Sequence, residues 1–495
     1  RPFIRFEVPF IETKKVGHVS DLQYFYDSCL PGNSLVLGEH DQWSIVSRDI
    51  SLHSEPVVLD MSKRYIHRSQ EDRFLRPVLR TAVELPRKPG LIENLLALIK
   101  RNFNAPALSG QIDYEYLSKR VADTFFEKLL PPDVEAVANL RLDPDDVFSI
   151  DNFVGWLEKQ DTKVVGELAN WDHIGMPAVD QYRHMIKRQP KAKLDSSIQY
   201  EYPASQTIVY HSKHVNAVFG PIFSRLTEKL LSVIDPLKFR YFTRTTPEEL
   251  QDFFKDLVSG DLEILELDIS KYDKSQNQFH FEVEMRIWER LGIDCYIAKL
   301  WENGHRRTFL KDYTAGIKTV IEYQKKSGDV TTFIGNTIVI AACLCSILPL
   351  EKCYKAAFCG DDSIIYLPRN ILYPDIQQTA SHLWNFEAKL FRKLHGYFCG
   401  RFILRSNGHI RMIPDPLKIV TKLGCKSIRD RAHLEEFRIS LFDMASEYKN
   451  MFMFDLLEAA VKESYPSAEG CSIAFCAIYK YLSNKVLFGT LFEDV

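Results

Sequence analysis

The chain of 495 residues is 45% hydrophobic and 26% charged. This is an ordinary globular composition, and the length calls for two or three subdomains rather than one core. A net charge of −3 excludes a uniformly basic nucleic-acid binder, so any such surface must be local. Ten cysteines with no CxxC pair argue against a zinc site and for buried free thiols in a reducing compartment.

No signal peptide opens the chain, and its first residue is Arg1, as expected of a fragment of a longer polypeptide or of a processed one. Residues 1 to about 70 carry short β-like runs (Phe3 to Phe10, Ser34 to Leu37, Pro56 to Leu59) and no chemical motif. Apolar spacing over residues 90–100 predicts a helix, and Pro131-Pro132 with the acidic stretch Leu142 to Asp146 predicts loop. Arg183 to Lys193 holds five Lys or Arg among eleven residues, none acidic. Such a basic loop suits a triphosphate or an RNA backbone, and equally a solvated surface.

Residues 263–273, EILELDISKYD, read as a buried strand ending in acid. A carboxylate such as Asp268 in an apolar strand is costly unless it is paired or binds metal. An amphipathic helix is predicted from Phe279 to Leu291. Ser327-Gly328 permits a flexible loop. In a helix starting just beyond it, Thr332 and Asn336 share a face, where helix N-terminal amides suit phosphate or ribose. The apolar run Phe333 to Leu350 approaches one bilayer span in length, but Gly335, Asn336 and Pro349 favour a buried core helix. Next comes Phe358-Cys-Gly-Asp-Asp-Ser363 between two apolar runs, a strand–turn–strand with Asp361 and Asp362 at its tip. Alone, such a tip is a solvated turn or a site for hard divalent cations. Trp384 to Lys393 reads as an amphipathic helix carrying Lys389, Tyr397 to Ile403 as the first half of a second hairpin, and the chain from Leu417 as mainly helical. The aromatic, amphipathic segment Ile478 to Phe492 reads as a core or partner helix, with membrane contact as the lesser alternative.

Taken together, these pieces match what nucleotidyl transfer requires: carboxylates from adjacent strands for two Mg²⁺ ions, cations for a triphosphate, and polar groups to inspect a 2′-hydroxyl. The ordered series DxxxxD (Asp268, Asp273), SGxxxTxxxN (Ser327, Gly328, Thr332, Asn336) and GDD (Gly360, Asp361, Asp362) resembles the RNA-dependent RNA polymerases of positive-strand RNA viruses. The longer stretches DISKYDKSQNQFH, FLKDYTAGIK, SGDVTTFIGNT, AFCGDDS and WNFEAKLF are similar to the readthrough polymerase region of tobamovirus-type replicases, in the alphavirus-like group, with tobraviruses and other rod-shaped plant viruses as near alternatives. The resemblance runs from about Arg76 to Phe492.

The resemblance implies an α+β right-hand fold of fingers, palm and thumb, with an antiparallel palm sheet and a mainly helical thumb. Residues 1–70 are expected to be an N-terminal extension and 71–260 an N-terminal region with fingers. Residues 261–405 would be palm, with its catalytic core at 261–372 and part of the fingers inserted at about 295–325, and 406–495 thumb. Asp268 and Asp361 would be the principal metal ligands, with Asp362 supporting, for Mg²⁺ or Mn²⁺. Asp273 and Asn336 would read the ribose, with Thr332 nearby, and Ser327 and Gly328 would form a loop that helps translocate the template. Lys187, Arg188, Lys191 and Lys193 would lie over the triphosphate, Lys389 would protonate the leaving pyrophosphate, and Phe398 to Ile403 would grip the primer. The implied partners are template and nascent RNA, ribonucleoside triphosphates, a methyltransferase–helicase part of the replicase (no GxxxxGK[ST] loop is present here) and host membrane-associated factors. The implied location is a membrane-associated replication complex in the host cytoplasm. A reverse transcriptase would share the paired aspartates, but Asp273 and Asn336 argue against one. A non-catalytic RNA-binding scaffold is the rival from another class.

Overall fold

The computed structural model describes residues 18–30, 59–61, 75–81, 89–103, 113–131, 140–170, 175–187, 204–257, 261–406, 408–426, 428–449 and 451–494. The runs Phe3 to Phe10 and Ser34 to Leu37 lie outside them, as do Arg188, Lys191 and Lys193. Leu59, from the third run, opens a strand.

In chain order the strands are β1 (Leu59–Met61), β2 (Leu75–Pro77), β3 (Gln181–Ile186), β4 (Thr207–Tyr210), β5 (Phe239–Tyr241), β6 (Leu262–Ile269), β7 (Thr308–Asp312), β8 (Ile317–Ile321), β9 (Lys355–Cys359), β10 (Asp362–Pro368), β11 (Ala388–Lys393), β12 (Gly396–Phe398), β13 (Arg401–Ser406), β14 (His409–Pro414) and β15 (Phe492–Asp494). One five-stranded sheet has the order β1-β8-β7-β3-β4, so a hairpin from the middle of the chain joins strands that precede it. The second has the order β11-β6-β10-β9-β5. Its first four strands are antiparallel, as expected, while β5 adds a parallel edge that sequence reading had not found. The molecule is a mixed α+β fold.

The second sheet is buried on both faces. Leu265, Leu267, Ile269, Ile365 and Leu367 face the main core, and Ile264, Ile364 and Tyr366 face a second one shared with Phe398, Ile403 and Met412. This alternation follows from the two-residue period of a strand. In the main core lies the helix Thr332–Ile347, buried nearly all round. A helix apolar on every side has no solvent face to offer, so the long apolar run belongs to the core. Among the described residues no helix is long and apolar enough to cross a membrane. All ten cysteines are free.

The helix Gln278–Leu291 forms where predicted, opened by Asn277 Oδ1 accepting from the Phe279 amide and closed by Gly292 in the left-handed region. The C-terminal helices, from Pro416–Cys425 to Lys485–Gly489, share a further core with the helix Val19–Cys29, so this piece of the N-terminal extension belongs to the C-terminal assembly.

Three expectations change. Residues 388–393 form the edge strand β11, not part of an amphipathic helix. The preceding helix Ile376–Trp384 stops at Asn385, in the left-handed region, and the Ala-Lys-Leu-Phe-Arg-Lys run then alternates to pair with β6. Residues 397–403 contain a whole turn, at Cys399–Gly400 with both φ positive, so β12 and β13 already form a hairpin and β14 extends it. The acidic stretch expected as loop contains the helical turn Pro144–Val147, with Asp143 capping and Pro144 at its first position.

Two side chains tie these layers together, and each gives a test. Thr337 Oγ1, on the buried helix, accepts from the Gly360 amide in the β9–β10 turn at 2.9 Å. Thr337→Val keeps the shape and removes the acceptor, so thermal denaturation should show a loss of about 1 kcal/mol, and an unchanged midpoint would dismiss the tie. Glu266 accepts from the Tyr397 amide at 2.6 Å, and burial pushes its carboxyl up to about 8. Folding therefore retains a proton that the unfolded chain has released above its ordinary pKa near 4.5. This group's stabilising share is full below pH 4.5 and is lost as pH rises through 8. Melting points of Glu266→Gln against wild type from pH 5 to 9 should diverge upward for the variant; parallel curves would refute this account.

Candidate active site

The site is set by strand register. Ser363 pairs with Leu267 in the β10–β6 ladder, so the next pair brings Asp362 level with Asp268. On the other side of β6, Lys389 of β11 is the partner of Asp268 itself. Directly opposed residues of an antiparallel pair share a face. Asp268 is thus flanked by a carboxylate on one neighbour strand and an ammonium on the other. Asp361 occupies the turn above. Cys359 and Asp362 pair across Gly360–Asp361, and Gly360 has φ +63°, the positive value that a type II′ hairpin turn demands at its first position. Asp268, Asp361, Asp362 and Lys389 are all exposed.

Beyond Ile269 the chain turns through Lys271, at φ +53°, into the short helix Tyr272–Ser275. That helix carries Asp273 towards the buried helix Thr332–Ile347. Asn336 Nδ2 donates to Asp273 Oδ1 at 2.8 Å, Gln276 Nε2 donates to Asn336 Oδ1 at 2.8 Å, and the Tyr272 hydroxyl donates to the Asn336 carbonyl at 2.9 Å. Burial raises the Asp273 carboxyl, the Asn336 hydrogen bond opposes this, and the charge of Asp361 raises it further. Asp273 thus lies within reach of the charge of Asp361.

Asn336 and Thr337 are consecutive. Asn336 holds the turn after β6, and Thr337 holds the turn between β9 and β10. The same helix begins against a buried ion pair, Lys325 Nζ to Glu284 Oε2 at 2.7 Å. A Cβ on Gly335 would come within 2.3 Å of Glu284 Oε1, so only glycine admits the pair at that depth. Gln324, Lys325 and Lys326 are all interior: Lys326 is fully buried over the Tyr182 ring, and burial lowers its ammonium to about 7.

The Ser327–Gly328 segment is stitched to β4. Ser327 Oγ donates to the Thr207 carbonyl at 2.8 Å and accepts from the Val209 amide at 3.2 Å, and the Gly328 amide donates to the Val209 carbonyl at 2.9 Å. Asp329 anchors the segment from below, accepting from His305 Nε2 at 2.8 Å and the Tyr182 hydroxyl at 3.2 Å, with His211 Nδ1 at 3.5 Å. Burial would raise this carboxyl, but the two histidines outweigh it and hold it well below the usual range. The Thr332 hydroxyl donates to the Lys326 carbonyl and accepts from the Asp329 amide. It is engaged in the loop, while Asn336, one turn on, reaches Asp273. Arg183 lies in β3 rather than in a loop, and Lys187 follows it, exposed.

Sequence reading passed over Thr337, Tyr272, Gln276 and the Tyr182–His211–His305–Asp329 cluster. Tyr272 and Gln276 stood inside the motif that carries Asp273, which was the available signal. The histidines gave none, because their partners are distant in the chain.

Among the described residues, no three His, Cys, Asp or Glu side chains are gathered closely enough to hold a metal ion unaided. The exposed aspartates nonetheless fit Mg²⁺. This ion takes hard oxygen ligands and is commonly bound through one or two carboxylates, with water and substrate phosphates completing its shell. Neither cysteine nor histidine stands beside Asp268 in the ladder to favour a softer metal.

The family described as RNA dependent RNA polymerase matches residues 47–491. The chain is 74% identical to the replicase large subunit of Sunn-hemp mosaic virus over 494 residues, which is all of this chain and 30% of that protein. It is 54% identical to the replicase large subunit of Pepper mild mottle virus (strain Japan) and 52% identical to that of Tobacco mosaic virus (strain OM), in each case over 98% of this chain and 30% of the relative. The chain thus spans about 30% of the length of the curated relatives it matches. The resemblance read from the motifs is borne out: the chain belongs to the RNA dependent RNA polymerase family, in the form carried by tobamovirus-type replicase large subunits.

Proposed function

We propose that this region copies a positive-strand viral RNA by two-metal nucleotidyl transfer, for replication and for transcription. The observation that carries the reading is the register that sets Asp268 level with Asp362 and below the Asp361 turn. Asp268 and Asp361 would hold Mg²⁺, or Mn²⁺, with Asp362 supporting. The bound ions would activate the attacking 3′-hydroxyl and neutralise charge on the triphosphate. The 3′-hydroxyl gives up its proton to solvent as its oxygen forms a bond to the α-phosphorus, the α–β bridging bond breaks, and pyrophosphate leaves with the electron pair.

The chain's own groups supply the rest. Lys389, an exposed cation paired with Asp268 across the β11–β6 ladder, would give a proton to the leaving pyrophosphate. Asp273 and Asn336 inspect the ribose. Lys187, with Arg188, Lys191 and Lys193, would cover the triphosphate. Release of Ser327 and Gly328 from β4 would accompany translocation. On this reading the sheet containing β6 is the palm, the sheet containing β3 and β7 belongs to the fingers, Phe398 to Ile403 in the β12–β13 hairpin grip the primer, and the C-terminal helices form the thumb. The relatives' greater length supports a further replicase part as partner, and a methyltransferase–helicase part is our proposal for it. A host cytoplasmic replication complex associated with membrane factors is the proposed setting.

Primer extension on an RNA template with Mg²⁺ and ribonucleotides tests the reading. Asp361→Asn should lower extension at least about a hundredfold, the scale of a lost transition-state charge contact. Equal extension by the variant would remove Asp361 from the chemistry.

A further inference from the structure

Asn336 has a side chain with two different ends. Its Nδ2 only donates and its Oδ1 only accepts. An ionised Asp273 only accepts, so the pair works in one orientation of the amide. In the other, Oδ1 would face a carboxylate, and a buried hydrogen bond would become a repulsion. Asn336 is 7% exposed and Gln276 is 5% exposed, so bulk water is a poor arbiter between the two. The group that meets Oδ1 is Gln276 Nε2, at 2.8 Å. Gln276 is itself set between fixed points. It closes the short helix Tyr272–Ser275, and the next residue, Asn277, caps the helix Gln278–Leu291.

We infer that Gln276 is a positioning residue for sugar discrimination: by donating to Asn336 Oδ1 it fixes the amide with Nδ2 toward Asp273. The relay then runs one way, from Gln276 to Asn336 to Asp273. On the proposed reading, the second Nδ2 hydrogen and the second Asp273 oxygen would be the groups that a sugar hydroxyl meets. A 2′-hydroxyl both donates and accepts, so it can use both at once, and a 2′-deoxy sugar can use neither. A site built to bond a hydroxyl discriminates against the analogue that lacks it. The inference rests on the proposed reading of Asp273 and Asn336 as ribose readers.

The test compares kcat/KM for a ribonucleotide and its 2′-deoxy counterpart in the full chain, with wild type, Gln276→Met, Gln276→Glu and Asn336→Ala. Gln276→Met removes the donor. It should lower the ribo-to-deoxy ratio by roughly tenfold, the scale of one buried hydrogen bond, while deoxynucleotide use stays near wild type. Gln276→Glu supplies an acceptor where a donor is needed and should lower the ratio further. Acidification that protonates the introduced carboxyl should restore part of it relative to wild type at the same pH, in which Asp273 titrates equally, a recovery that a merely structural role would not produce. An unchanged ratio in both Gln276 variants, with a fall in Asn336→Ala, would overturn the inference and leave the ribose reading standing. An unchanged ratio in Asn336→Ala as well would overturn both. Equal losses for the two sugars in the Gln276 variants, without pH recovery, would make Gln276 structural and also overturn the inference.

Discussion

Everything at the site depends on one buried helix, Thr332–Ile347. Two consecutive residues on it, Asn336 and Thr337, bond to two different turns, one after β6 and one between β9 and β10. A side chain on a surface helix could not hold two acidic turns in register, because its helix would be free to shift. This helix has apolar contacts on nearly every side and sits in a core packed at the density of an organic solid. Burial therefore sets the precision of the polar contacts, and the polar contacts set the relative placement of Asp273 and Asp361.

Buried charge near the start of that helix follows a consistent logic. Lys325 and Glu284 neutralise one another inside the core. Asp329 collects two histidines and a tyrosine beneath the Ser327–Gly328 segment. A buried ion pair is weak evidence of stability, since desolvation offsets much of the attraction, but removing one partner is costly. Such groups are better read as fixing one arrangement of the loop among several possible ones. The carboxylates Asp268 and Asp361 are exposed by contrast, and the β6 register and the β9–β10 turn set their backbone positions.

The strands, turns and helices that carry the acidic motifs were legible in the sequence because their signals are local. β6 is a continuous apolar run, the β9–β10 turn is marked by Gly-Asp, and the buried helix is marked by length and apolarity. Lys389 shows where local signals fail. Its segment has helical spacing, yet it becomes a strand because the unpaired edge of β6 is available to it, a tertiary fact that spacing does not encode. The donor–acceptor logic around Asn336 was half legible: Asp273 and Asn336 came from the motif, while Gln276 and Tyr272 needed coordinates to show which atoms meet. The histidines that support Asp329 were not legible at all, since His211 and His305 come from separate elements brought together by the fold. The expected cations Arg188, Lys191 and Lys193 lie outside the described residues.

The central claim is that Asp268, from β6, and Asp361, from the turn that leads into the adjacent strand β10, act on the same metal–nucleotide complex. Mn²⁺ titration followed by electron paramagnetic resonance, with a ribonucleoside triphosphate present, tests it most directly. The account predicts protein-bound Mn²⁺ in the wild type and a marked weakening in both Asp268→Asn and Asp361→Asn, with the double variant little worse than either single one. Undiminished Mn²⁺ binding in either single variant, or independent additive losses in the double variant, would contradict a shared site.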